Sequence, residues 1–305
     1  MNQVITFHSL GRLRQWKWRL SARLHAYRRR RSGTKPAGYD IAVTTYIARF
    51  DTYFKSLLCQ LSCLFPDQRI FVVANGHHDR ARQETYLIRL RKLVARYPNV
   101  TLIAHSDPAG LARMWNDALR ASTAGRLLML NDDLYLMSHF RSQMEASGLL
   151  EKKIATINGT WSHFLITREI VDAVGWFDEG FTEIGYEDAD YEVRLACRGL
   201  PVARLEMNGV WSWVDEPEEY SYGSQLEIKD GKYSGKNRKH FYNKWKTFGC
   251  ETPGCLFVPM VGHWVQLEEP KERREGPVNA GPGFPSARTK TDGPSKQVPD
   301  VLPPG

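Results

Sequence analysis

Between residues 39 and 135 the chain alternates short, β-branched apolar runs with amphipathic stretches, and this alternation restricts the fold more than any other feature. Ile41–Thr45, Arg69–Ala74, Val100–His105 and Arg126–Leu130 read as strands. Phe50–Leu64 puts Phe54, Leu57, Leu58 and Leu61 on one helical face, and Arg80–Arg96 does the same with Tyr86, Leu87, Leu90, Leu93 and Val94. Leu111–Ala121 reads as a third helix. Strands joined by helical crossovers predict an α/β fold with a mostly parallel, Rossmann-like sheet and helices on both faces. Such a sheet binds ligands beyond the carboxyl ends of its strands but does not by itself name the ligand.

The fourth strand, apolar from Leu127 to Leu130, stops abruptly at Asn131, Asp132 and Asp133. Asn and Asp form turns, so an ordinary strand-to-turn transition is one explanation. The other is chemical: one or two carboxylates can hold a hard divalent cation against a charged diphosphate. About 55 residues downstream lies a second acidic group, VDAVGWFDEGFTEIGYEDADYEVRLACRGL, spanning 171 to 200. Asp178, Glu179, Glu183, Glu187, Asp188 and Asp190 precede a helical stripe of Val193, Leu195 and Ala196. Acids in a first helical turn compensate the helix dipole. That leaves Gly175, Trp176, Phe177 and Phe181 unexplained, and a carboxylate among aromatic walls can be tuned for proton abstraction. Taken together, the two acidic motifs favour catalysis over turn chemistry.

The glycine, FDE, phenylalanine and ED pattern resembles the acceptor-side signature of the family 2 inverting glycosyltransferases, which have the GT-A fold and use sugar nucleotides. Gly175, Phe177, Asp178, Glu179, Phe181, Glu187, Asp188, Asp190, Arg194 and Gly199 carry the resemblance. It implies that Asp188 is the general base and that Glu187 orients Asp188 or the acceptor. NDD resembles the family's D-x-D-type metal motif, with Asn131 in the first slot. This implies Asp133 as the main ligand of a divalent cation, Mn²⁺ or Mg²⁺, and Asp132 nearer the donor sugar and ribose. VTTY, with Thr45 and Tyr46, resembles the opening strand and loop that cradle the base, while Asn75, Gly76, Gly110, Arg113 and Asn116 match further donor-side positions. Ala74 stands where relatives commonly place an acid against a uracil ring, which predicts loose base discrimination or a base other than uracil. The metal-binding histidine that relatives carry after the ED helix is missing, its slot falling near Trp211 or Ser212. His240 and His263 read as surface or packing residues. Implied partners are a nucleoside diphosphate sugar donor and a glycan or lipid-linked glycan acceptor. The resemblance covers roughly residues 39 to 265.

Charge divides the chain. Residues 1 to 38 carry eight Arg and two Lys with no Asp or Glu, so the net charge of +8 arises entirely there. Leu10, Leu13, Trp16, Leu20, Leu24 and Tyr27 recur at helical spacing among those cations. Such an arm suits an anionic membrane surface; docking to a partner or to nucleic acid, or a solvated tail, are the alternatives, nucleic acid being the less favoured partner. No apolar run approaches the roughly 20 residues a bilayer span needs, and no signal-peptide core follows the basic start. The expected location is cytoplasmic, peripheral on the membrane if the arm binds lipid. The five cysteines fit a reducing compartment, and Cys250 and Cys255 would pair only if oxidised.

With 42% apolar residues, 305 residues can bury one large α/β core. The expected organisation is a basic arm at 1–38, a catalytic domain at 39–268 (nucleotide half 39–135, acceptor half 136–268) and a tail at 269–305. That tail holds eight of the 16 prolines and reads as disordered. Val202–Leu205 and Val210–Val214 read as late strands and Lys236–Trp245 as a closing helix. Two other classes compete. A sugar nucleotidyltransferase needs a glycine-rich phosphate loop, which VTTYIARFD lacks, and a noncatalytic glycan- or nucleic-acid-binding module leaves both acidic motifs idle.

Overall fold

The computed structural model describes residues 12–31, 38–212 and 235–245, and the backbone of 255–260 and 263–268. The chain divides into two compact units, Met1–Pro270 and Lys271–Gly305, and every described residue lies in the first. The proline-rich segment, Cys250 and the last residues of the expected strand Val210–Val214 fall outside the described residues.

The strands are β1 (Asp40–Thr45), β2 (Ile70–Ala74), β3 (Val100–Ala104), β4 (Arg126–Asn131), β5 (Leu134–Leu136), β6 (Ile154–Ile157), β7 (Thr160–Thr167), β8 (Ala203–Leu205), β9 (Val210–Ser212), β10 (Cys255–Met260) and β11 (His263–Glu268). The helices are α1 (Arg12–Arg31), α2 (Lys55–Leu64), α3 (Arg80–Val94), α4 (Leu111–Ala121), α5 (Phe140–Ala146), α6 (Arg168–Val174), α7 (Glu187–Cys197) and α8 (Gly235–Trp245). Seven strands form one sheet in the order β3-β2-β1-β4-β7-β6-β8, parallel throughout except for β7, which runs against both neighbours. Two small antiparallel ribbons, β5 with β9 and β10 with β11, complete the described strands. The mostly parallel sheet with helices on both faces is what the alternation predicts.

Each sheet face has its own core. Ile41, Val43, Val72, Leu128 and Leu130 point to the side covered by α1, α2, α3 and α5. Ala42, Phe71, Val73, Leu127 and Met129 point to the side covered by α4, α6, α7 and α8. β1, β2 and β4 are therefore apolar on both faces, as parallel strands between helical layers must be. Phe177 and Phe181, together with Trp115, Trp161, Phe164 and Tyr191, belong to the second core. The aromatic residues beside the acids are thus mostly core, and only Trp176 is exposed, with Arg120 and Arg168 over its ring.

β5, β6 and β7 have no counterpart among the elements expected from sequence. β6 and β7 form a hairpin over Asn158 and Gly159, both at positive φ (53° and 69°), the pattern of a type I′ turn. The Asn158 side chain also bonds the backbone of Met207 in both directions, fastening β8 alongside.

β7 carries a buried histidine. His163 lies opposite Leu130, and neither ring nitrogen has a hydrogen bond. Burial lowers its pKa from 6.5 to about 4. The unfolded chain therefore binds a proton that the folded chain refuses. The resulting stabilisation is complete above pH 6.5 and is lost as the pH falls toward 4, reaching about 3 kcal/mol in all. His163→Leu is expected to flatten this part of the pH dependence. Urea unfolding of parent and variant at pH 7.5 and 4.5 is the check, and identical pH slopes would refute the assignment.

Candidate functional site

The connection through α2 leads from β1 to β2 on one side, whereas α4 returns the chain from β3 across to β4 on the other. The carboxyl ends of β1 and β4 therefore border the crevice where strand order reverses, the usual ligand site in such sheets. Thr44 pairs with Asn131 there, which brings Thr45 and Tyr46 beside Asp132 and Asp133.

Arg49, which no sequence motif marks, enters this group. After β1 the chain makes a tight 3-10 turn, Ile47–Arg49, and a π-turn, Phe50–Phe54, before α2 begins. The apolar period predicts one helix over Phe50–Leu64. Instead the irregular turns drive the guanidinium inward, 2.9 Å from Asp132 and 3.2 Å from Asp133, with all three side chains less than a tenth exposed. Tyr46 and Tyr53 place their rings 5.5 and 5.9 Å from it.

The Arg49 guanidinium faces two buried carboxylates, and desolvation opposes their ionisation. Burial raises the pKa of Asp132 to about 6 even though Arg49 pulls the other way. Tyr46 is likewise pushed up to about 12 by burial, against Arg49. Asp132 Oδ2 and the Thr45 hydroxyl are buried without a well-formed hydrogen bond, although the hydroxyl is close enough to favour the ionised acid. A buried carboxylate pair at a strand end, with Asp132 Oδ2 lacking a well-formed hydrogen bond, fits a divalent cation. No group of three or more His, Cys, Asp or Glu among the described residues could hold one alone, so a ligand or water would have to complete the shell. β9 pairs antiparallel with β5, which starts directly after Asp133, and Ser212 lies opposite Leu134. The exposed Trp211 and half-buried Ser212 therefore lie on the ribbon that starts next to the carboxylate pair.

The acids of 171–200 separate into structural and available groups. Asp178 accepts from the Gly180 N–H and from Lys244, with His240 at 3.2 Å; burial works against it, but these donors hold its pKa down to about 2. Glu179 accepts from Asn116 and Arg120. Asp190 is fully buried between Arg194, Lys244 and the Trp245 indole. These three acids tie α4, α7 and α8 together. His240, bonded to Asp178 and packed edge-on against Phe181, is a packing residue as expected.

Glu187 and Asp188 begin α7. The preceding Tyr186 sits at φ 72°, a left-handed conformation that is strained for a bulky residue and is here over-determined by packing against Phe241. Glu187 is buried, and burial followed by the neighbouring Asp188 raises its pKa well above the usual range. Asp188 is half-buried and accepts a hydrogen bond from the Ala189 N–H, so within the pair it alone reaches solvent.

The remaining donor-side residues serve the loops. Asn75 is buried, its carboxamide bonding the Ala109 carbonyl and the N–H groups of Gly76 and Ala109. A Cβ at Gly110 would lie 2.2 Å from the Phe181 carbonyl oxygen, so the start of α4 packs directly on the acidic loop. Asn116 bonds Phe177 through both its oxygen and its nitrogen. Arg113 is exposed on α4, and Ala74 is buried between Thr45 and Ala104. The structure thus gathers Thr45, Tyr46, Arg49, Asp132 and Asp133, with Asn131 at their edge. The Asn75 N–H donates to the Thr45 carbonyl at 2.8 Å, whereas no described hydrogen bond or ion pair joins Gly110 or Arg113 to the group.

No family model matches this chain, and no curated protein matches it. Among solved structures, the mannosyltransferase PcManGT from Pyrobaculum calidifontis, in complex with GDP-Man and Mn²⁺, is similar at 14% identity and a TM-score of 0.42, over 61% of this chain and 62% of that one. S. aureus TarS is similar at 13% identity and a TM-score of 0.44, over 69% of this chain and 44% of that one. TarS 1-349 in complex with UDP gives 13% and 0.42, over 69% and 72%. The chain spans less than two thirds of the first two.

Proposed function

We propose that this protein is an inverting glycosyltransferase of the GT-A type, akin to family 2. It would move a sugar from a nucleoside diphosphate donor to a hydroxyl of a glycan or lipid-linked glycan, with Mn²⁺ or Mg²⁺ as cofactor. The observation that carries this reading is the buried pair Asp132–Asp133, set around Arg49 at the strand-order reversal. A folding role alone does not require two desolvated acids there.

Asp133 and Asp132 would hold the cation, which when bound stabilises charge on the departing diphosphate. Arg49 offsets part of the negative charge before any ligand arrives. Thr45 and Tyr46 border the place for the nucleoside. Asp188 takes the acceptor proton while its hydroxyl attacks the anomeric carbon from the face opposite the leaving group. Glu187, buried beside Asp188 and with its pKa raised by that burial, orients Asp188 or the acceptor. The free thiols Cys59, Cys63 and Cys197 accord with a reducing, cytoplasmic location.

Calorimetry of UDP, GDP and dTDP binding, with Mn²⁺ and with chelator, tests the donor half. The parent is expected to bind more tightly with metal, and Asp133→Ala to lose that enhancement. Equal enhancement in both proteins would remove Asp133 as a ligand. No binding of any nucleotide would end the glycosyl-transfer reading.

A further inference from the structure

α1 is amphipathic in an unusual sense, because its apolar stripe faces away from the protein. Trp18 and Ala22 are its buried apolar contacts. The Trp18 indole donates to the Leu136 carbonyl at 3.0 Å, and Ser138 donates to the Ser21 hydroxyl at 2.9 Å. Leu13, Trp16, Leu20, Leu24 and Tyr27 lie on the opposite side, 42 to 64% exposed. Around the helix axis Arg14 and Lys17 flank that stripe on one side and Arg19 and Arg23 on the other, all four exposed. α1 contains eight Arg, one Lys and no acid.

We infer that this outward face of α1 is a docking surface for an anionic lipid bilayer, entered by Leu13, Trp16, Leu20 and Leu24 while the flanking cations meet headgroup phosphates. Five large apolar side chains held in water on one helix face have no folding rationale. Their arrangement, an apolar stripe between rows of long cations that can extend toward the headgroups, matches an interfacial helix. Charge complementarity names the lipid: residues 1 to 38 carry +10, and each cation near an anionic leaflet adds attraction. A nucleic acid would satisfy the cations but not the leucines. No helix among the described residues is long and apolar enough to cross a membrane, so α1 would lie in the interface. α1 packs on α2 and α5, and its Trp18 indole bonds the Leu136 carbonyl at the end of β5.

Co-sedimentation of the full chain with vesicles of phosphatidylcholine alone, and of phosphatidylcholine with phosphatidylglycerol, is the test. The parent is expected to pellet with the anionic vesicles and to be released by salt. The double variant Leu20→Glu/Leu24→Glu should bind at least about tenfold more weakly with an unchanged unfolding curve, since both residues are exposed. Trp18→Ala, which alters only the inward side, should still bind. Equal pelleting of parent and double variant would overturn the inference. So would salt-insensitive binding to phosphatidylcholine, or a lipid-free dimer in light scattering that the double variant splits. Nucleotide calorimetry on the same double variant keeps this inference separate from the glycosyl-transfer reading, because α1 supplies no donor contact.

Discussion

Asp188→Asn is expected to lower turnover by about 10²-fold to 10⁴-fold while leaving nucleoside diphosphate affinity nearly unchanged. The substitution keeps shape and removes the proton acceptor. Asp188 is half-buried and shares the first turn of α7 with Glu187, whose pKa burial raises. Its loss therefore removes the one carboxylate of that pair that reaches solvent. The structural acids Asp178 and Asp190 keep their partners on α8, so the unfolding midpoint should barely move. Single-turnover rates on a defined acceptor, with calorimetry of the donor, separate the two effects. Near-parental turnover would take Asp188 out of the role.

The second large effect is expected at Arg49. Arg49→Met leaves Asp132 and Asp133 buried without their cation, and breaking a buried pair from one side costs about 3–5 kcal/mol. No discount for solvent screening applies, because all three side chains are buried. The pH dependence follows from the sign of the Asp132 shift. Its pKa is raised to about 6 even with Arg49 present and rises further without it, so protonation near pH 5 removes much of the repulsion. The variant should therefore approach the parent in stability on acidification. Mn²⁺ at pH 7.5 should raise the unfolding midpoint of the variant more than that of the parent, the ion supplying the missing charge. Parental stability at pH 7.5, or equal metal shifts in both proteins, would show that Arg49 does not neutralise the pair.

The sheet was legible because period and length agree over residues 39 to 135. Each expected strand and crossover helix there lies within about two residues of the structure, except where Phe50–Phe54 winds as a π-turn ahead of α2. Tight turns of irregular pitch leave no trace in an apolar period, so nothing in the sequence pattern singles out Arg49. The β6–β7 hairpin is different. Asn158–Gly159 is a strong local turn signal between apolar runs, but the expected path went directly from NDD to the ED cluster. The acidic cluster was visible as a cluster, but its division into clamps and a candidate base depends on distant partners. Lys244 and Trp245 lie more than 50 positions beyond Asp190, and no local pattern couples them.

β4 shows why the acidic pair has a bearing on folding as well as on chemistry. Leu127 and Met129 face one core, and Leu128 and Leu130 face the other. Hydrophobic alternation, which fixes alignment in half-exposed strands, is therefore silent in this one. A slip by one residue against β1 would exchange leucines for leucines and a methionine at little cost in apolar burial. It would also withdraw Asp132 and Asp133 from Arg49 and draw a carboxylate between hydrophobic layers with no counter-charge. The residues proposed to hold the ion thus also select, among nearly isoenergetic alignments of the central strand, the single one in which a crevice exists for a ligand to enter.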